Sequence, residues 1–170
     1  MGRISIKENK TEYQIFREEL GYSREKASEL LGWISPERIE KIENEKSLLH
    51  PDEVLAMSVA YQKPRLCNHY CATMCPIGQE YVPEIKVKDL SQIILEMLSS
   101  LNSMQKRRDR LIDIAADGEI SSDEIADFVH IQEELERISI TVETLQLWAE
   151  RMLATGKIDL EEYNAQKEKR

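Results

Sequence analysis

The chain has 170 residues, with 23 Lys and Arg against 32 Asp and Glu, a net charge of −9; this excludes a large multidomain enzyme and a uniformly basic protein that grips nucleic acid or lipid by bulk charge. With 41% hydrophobic and 32% charged residues and only 6 Gly and 5 Pro, it is neither a disordered tail nor a fibrous repeat, and it can bury a modest core. No apolar run approaches the roughly 20 residues of a bilayer span, the opening MGRISIKENK lacks a secretory apolar core, and the three cysteines are an odd number packed into one stretch, so a cytoplasmic protein with no membrane partner is expected.

Apolar residues recur three and four apart and no alternating run marks a strand, which predicts an all-α fold. Short helices are expected over 11–20, 23–31, 36–44 and 52–61, a compact four- to five-helix bundle. Ser23 can accept from a free amide of the helix it precedes, Ser35 stands before Pro36 at a first helical turn, and Gly32 closes the helix before it. Lys63-Pro64 and the stretch from Pro76 to Pro83 with Gly78 interrupt the period. They separate a domain at 1–63 from one at 84–170 by a joint at 64–83.

Beyond the joint a three-four spacing runs through Leu90, Ile94, Met97, Leu101, Met104, Arg108, Leu111 and Ala115. A second runs through Phe128, Ile131, Leu135, Ile138, Val142, Leu145, Ala149 and Met152. These are heptad seams, the first with Arg108 as its one charged member. Gly118 ends one helix and Ser121 with Glu124 starts the next, so a long antiparallel, coiled-coil-like hairpin is expected. Gly156 and Asp159 repeat the stop and start before one short terminal helix. Ile93, Leu98, Ile140, Leu147 and Trp148 flank the seams, and a second copy would cover such apolar surface. A homodimer is therefore expected, with Leu135, Val142, Leu145 and Trp148 as candidate interface residues.

The order of a short helix, then Ser23-Arg24-Glu25-Lys26-Ala27-Ser28-Glu29-Leu30-Leu31-Gly32, then Ile34-Ser35-Pro36-Glu37-Arg38-Ile39-Glu40-Lys41-Ile42-Glu43-Asn44 resembles the lambda-repressor-like helix-turn-helix family of transcription regulators over about residues 10–62. The resemblance implies double-stranded DNA as partner, with the helix over 36–44 in the major groove and Arg24 near a phosphate. Arg38 and Lys41 would reach guanine edges and Glu37 a cytosine amino group. Ser35, Lys26 and Lys46 complete the candidate DNA-binding set. Residues 23–46 hold five cations (Arg24, Lys26, Arg38, Lys41, Lys46) against six acids (Glu25, Glu29, Glu37, Glu40, Glu43, Glu45). An acidic reading head forfeits part of the charge-driven phosphate contact, which keeps a protein-interaction adaptor as the alternative.

Cys67, His69, Cys71 and Cys75 offer three thiols and an imidazole, a donor set for Zn²⁺ or an iron-sulfur cluster in a metal- or redox-sensing regulator. On one straight helix, however, the outer sulfurs would stand too far apart for one tetrahedral ion, at about 6 Å per helical turn. Packing of the cysteines as small hydrophobes at the joint is the leading reading, and no cofactor is expected. Asp113, Asp117, Gly118, Ile120 and Glu124 match part of a calcium loop, but Ala115 falls where a ligand oxygen is required, and capping explains the same residues. Lys106, Arg107, Arg108 and Arg110 read as salt-bridge partners of the acidic second helix. His50 and His130 stand apart from any nucleophile, there is no phosphate-binding Gly-rich loop, and an enzyme is not expected.

Overall fold

The computed structural model describes residues 9–116 and 118–169, which include no strand. Most of the opening segment searched for a leader, and Asp117 of the calcium-loop pattern, lie outside the described residues. The elements are α1 (Glu12–Glu19), α2 (Arg24–Leu31), α3 (Pro36–Glu43), α4 (Pro51–Ala60), α5 (Arg65–Thr73), α6 (Pro76–Tyr81), α7 (Leu90–Ala115), α8 (Ile125–Ala154) and α9 (Leu160–Glu168). They fall into two compact units, Met1–Glu84 with Glu150–Arg170, and Ile85–Ala149. Among the described residues no helix is long and apolar enough to cross a membrane.

In the first unit the caps act where the sequence places them. Ser23 Oγ accepts from the Lys26 amide at 3.1 Å and Ser35 Oγ from the Arg38 amide at 3.2 Å, each satisfying one orphan donor of a first turn. Gly32 closes α2 at φ 76°. Helix α3 ends differently: the Glu45 amide donates to Ile42 O and the Lys46 amide to Lys41 O, with Glu45 left-handed at φ 55°. This is a Schellman closure built without the usual glycine. Helix α1 packs on α3, α2 on α3 and α4, α4 on α5, and α5 on α6. Between them lies one core centred on Ala27, Ile34, Ile39, Val54, Met57, Tyr61 and Leu66, each 2% exposed or less.

The joint expected at 64–83 is largely helical, because its prolines begin helices instead of ending them. Pro64 is the N-cap of α5 and Pro76 the first residue of α6, positions where the missing N–H costs nothing. Leu66 of α5 is fully buried and Cys67 and Tyr70 pack against the same core.

The second unit is built from α7 and from α8 as far as Ala149; the two helices run antiparallel and have 26 and 30 residues in all, or about 39 and 45 Å at ~1.5 Å per residue. Arg110 Nε meets Asp127 Oδ2 at 2.7 Å, the cross-helix ion pair expected of the basic run. The seams sit differently from expectation. On α7 the buried line is Ile93, Ser100 and Ile114. Leu90, Ile94, Leu101, Arg108 and Ala115 are exposed and Met97, Met104 and Leu111 half-buried. On α8, Ile131, Thr141 and Thr144 are buried, while Leu135 and Val142 are exposed and Leu145 and Trp148 half-buried. Thr141 and Thr144 donate back to the carbonyls of Arg137 and Ile140 at 2.8 and 2.6 Å, which lets hydroxyls occupy an interior line.

The α5–α6 corner depends on one missing side chain. A Cβ on Gly78 would stand 2.1 Å from the carbonyl oxygen of Cys71, so the backbones approach more closely than any other residue permits. Gly78→Ala should destabilise the first unit by about 1–3 kcal/mol through forced overpacking, whereas Ile77→Ala, at a side chain 73% exposed, should stay within about 0.5 kcal/mol. Thermal unfolding followed by circular dichroism checks both.

Candidate nucleic-acid interface

Helix α3 is held along its inner side and at both ends. Ile39 and Ile42 enter the core at 0% and 3% exposure. At its C-terminal end the Glu43 side chain is 1% exposed and takes Arg17 Nε at 2.5 Å, Arg17 Nη2 at 2.9 Å and Arg24 Nε at 2.9 Å. Arg17 also donates to the Tyr22 carbonyl at 2.5 Å. Burial pulls the Arg17 guanidinium down, and hydrogen bonding to Glu43 together with the charges of Glu43 and its neighbours outweighs that, so it is held above its ordinary value. One carboxylate thus ties α3 to α1 and to the start of α2.

Arg38 makes the second lock. Its Nε and Nη2 grip Glu53 Oε1 and Oε2 of α4 at 2.6 and 2.7 Å, Nη1 donates to Ser47 Oγ at 2.5 Å, and Nη2 also donates to the Leu48 carbonyl at 2.7 Å. Glu53 in turn accepts from the His50 amide at 2.9 Å, capping α4. Burial pushes the Glu53 carboxyl up, but the Arg38 and His50 hydrogen bonds outweigh it and hold the group below the usual carboxylate range.

These locks engage several of the candidate reading residues. Arg38, expected at a guanine edge, forms here a bidentate pair with Glu53 at the α3–α4 corner, which engages the fork that a base edge would use. Arg24, expected near a phosphate, is bound to Glu43, with Glu40 at 4.0 Å. Ser35 spends its hydroxyl as the N-cap of α3. Lys26 is exposed and meets Glu29 at 3.1 Å. Lys41 and Lys46 are exposed and, among the described residues, make no ion pair. Glu37 is exposed, and the backbone amide at the helix start and the Ser35 hydroxyl lower its carboxyl, leaving it ionised at neutral pH. The outward face of α3 therefore presents Glu37, Glu40 and Lys41, continued by Glu45 and Lys46.

Trp33, 58% exposed in the turn that precedes α3, and Leu30, 47% exposed on α2, were not among the candidates. An aromatic between Gly32 and a buried Ile34 is the available sequence signal, because apolar residues in a tight turn alternate between floor and surface. Arg17, Glu43 and Glu53 were also missed as architectural residues. No period distinguishes three structural carboxylates or guanidiniums in a chain this rich in charge.

The donor set at the joint is dispersed. Cys67 and Cys71 lie on α5 and Cys75 is the N-cap of α6, all three half-buried free thiols. His69 Nδ1 meets Glu84 Oε1 at 3.3 Å and its ring stacks, tilted, 6.3 Å from that of Tyr13. Burial, then Cys75 and Cys67, push the Cys71 thiol up, away from the thiolate that binds metal. Among the described residues no group of three or more His, Cys, Asp or Glu is arranged to hold a metal ion.

A family model described as Helix-turn-helix matches residues 14–65, from the first turn of α1 to the start of α5, and so takes in both locks. Neither the curated proteins nor the solved structures compared with the chain gave a match.

The corner has a pH signature. A carboxyl lowered in the folded state contributes stability that is present above its unfolded value, about 4.3 for glutamate, and is lost as pH falls through the lower folded value. Glu53→Gln should therefore melt below the wild type at neutral pH, with the gap closing as pH falls below about 4.3. Arg38→Ala should cost roughly 2 kcal/mol at pH 7, between an exposed and a fully buried pair, while Lys41→Ala stays within about 0.5 kcal/mol. Melting curves of the three variants across pH check the set.

Proposed function

We propose that the chain is a sequence-specific DNA-binding transcription regulator that acts as a homodimer and reads the major groove with α3. The observation that carries this is the agreement between the helix-turn-helix match over 14–65 and a short α3 whose buried side is pinned by Ile39, Ile42 and Glu43. The opposite side stays free to enter a groove of about 12 Å. In this reading Lys41 addresses a base edge, Glu37 accepts from a cytosine amino group, and Lys26 and Lys46 neutralise phosphates. Arg24 and Arg38 act by holding α3 and touch no nucleotide. The protein works in the cytoplasm, and the reading requires no metal, no cofactor and no catalytic step.

A second reading, a protein-interaction adaptor, is favoured by one specific observation. Once Arg24 and Arg38 are spent internally, the outward face carries Glu37, Glu40 and Glu45 against Lys41 and Lys46, beside an exposed Trp33. Such a surface suits a basic protein partner as well as a duplex.

Fluorescence anisotropy of the full chain against duplexes selected from random sequence separates the two. The regulator reading expects binding that weakens steeply with salt, because each neutralised phosphate releases counterions. Lys46→Ala should weaken all duplexes alike and flatten the log–log salt slope by about one. Lys41→Ala should lose about 5- to 150-fold on the selected duplex, the equivalent of ~1–3 kcal/mol for a base-edge contact, and much less on an unrelated one. Absence of binding by the wild type at low salt overturns the regulator and leaves the adaptor.

A further inference from the structure

The heptads of α7 and α8 are broader than their own hairpin buries. Relative to the inner line of Ile93 and Ser100, the exposed Ile94 (37%) and Leu101 (47%) each sit one residue further along α7. Relative to the half-buried Glu134 and the buried Thr141, the exposed Leu135 (51%) and Val142 (39%) each sit one residue further along α8. One residue is a turn of about 100°. Two antiparallel helices wind in opposite senses when viewed from one end, so equal forward steps on both reach the same face of the hairpin. Equal backward steps reach the other face, and there Ser99, Ser103, Arg137 and Ile140 line an open cavity of about 530 Å³ between the helices. The hairpin thus has one polar face and one apolar face.

The apolar face is also in register. Counting away from the Arg110–Asp127 pair, Ile112 comes level with Ile125, while Leu101 falls within one residue of Leu135 and Ile94 within one residue of Val142, all exposed. Charge decides which helix could cover which. Within α7, Lys106, Arg107, Arg108 and Arg110 outnumber Glu96, Asp109 and Asp113, a balance of +1. Within α8, Arg137 and Arg151 face Asp127, Glu133, Glu134, Glu136, Glu143 and Glu150, a balance of −4. Pairing α7 with an α8 joins opposite signs, whereas α8 with α8 joins two acidic helices.

We propose that a second copy of this chain covers the apolar face, forming a four-helix bundle whose two-fold axis runs parallel to the helices, with each α7 lying on the other copy's α8. The inference rests on the dimeric part of the function proposed above and supplies its geometry. Leu101 then meets the second copy's Leu135 and Ile94 its Val142, twice over by symmetry. The half-buried Met97, Met104 and Leu111 complete the interior. The seam's lean to one face is what a four-helix core needs, since each helix must face the bundle centre and not one neighbour. Arg108 is the polar member of the seam, the kind of residue that fixes register at some cost in stability. Both chains enter such a bundle at the same end.

Light scattering on the DNA-free full chain after size exclusion tests this. The wild type is expected at twice the 19.8 kDa chain mass. Leu101→Glu and Leu135→Lys are each expected at the single mass with unchanged helicity, while Leu160→Glu on α9 stays dimeric. An equimolar mixture of the Leu101→Glu and Leu135→Lys chains should recover the dimer, because one Glu–Lys contact and one Leu–Leu contact result. Should a charged variant lose helicity, Ile94→Ala and Val142→Ala must each raise the dimer dissociation constant about tenfold or more, since the lost apolar contact occurs twice. A monomeric wild type overturns the bundle. A dimer indifferent to these substitutions also overturns it and leaves a dimeric regulator standing, and a mixture that stays monomeric overturns the α7-on-α8 pairing. A dimer that binds no duplex overturns the regulator and leaves the bundle.

Discussion

Glu43 is the carboxylate on which helix α3 depends. A charge at 1% exposure is tolerable only when its hydrogen bonds replace the water it lost, and here Arg17 and Arg24 supply three of them from two other helices. Because the three donors come from α1 and the start of α2, the angle between α2 and α3 is fixed by electrostatics as well as by the Ala27 and Ile39 floor. Arg38 and Glu53 repeat the device one helix later. Helix α3 is only eight residues long, too short to be stable alone. Its order therefore comes from what grips it, and its own Arg38 and Glu43 are gripped by charged side chains of α1, α2 and α4.

That solution has a consequence for recognition. A helix whose one arginine, Arg38, and whose neighbour Arg24 are spent on holding it presents fewer cations to a phosphate backbone, and the outward face of α3 is correspondingly close to neutral or acidic. Any duplex affinity must then rest on a few lysines and on shape, which lowers non-specific binding more than specific binding, because the former is almost wholly electrostatic. The net charge of −9 acts in the same direction at long range.

What was legible in the sequence was short-range. Ser23, Ser35, Gly32, Gly156 and Asp159 mark their caps because a cap is a contact within three or four residues, and the periods of α1 to α4 and of α7 and α8 are visible for the same reason. Helices α5 and α6 were hidden by Pro64, Pro76 and Gly78, read as breakers. A proline at a helix start and a glycine at a helix crossing use the same residues for the opposite purpose. The site was less legible than the fold. The Arg17–Glu43 and Arg38–Glu53 pairs span 26 and 15 residues, and nothing local separates a guanidinium bound for Glu53 from one bound for guanine.

The hairpin shows a further limit, on what periodicity means. A heptad reports that one side of a helix avoids water, and the residues in the expected seams do lie together on one side of α7 and of α8. It does not report how many neighbours share that side. A helix with one partner buries a narrow stripe aimed at that partner, as Ile93, Ser100 and Ile114 do. A helix in a four-membered bundle needs a stripe centred about 45° away, toward the axis of the square. The seam of Leu90, Ile94, Met97, Leu101, Met104 and Leu111 is centred between the buried line and the exposed apolar face, and the seam on α8 leans to the same face of the hairpin. The angular offset between the periodic stripe and the stripe the hairpin buries is thus itself a structural quantity, and here it points to a missing pair of helices.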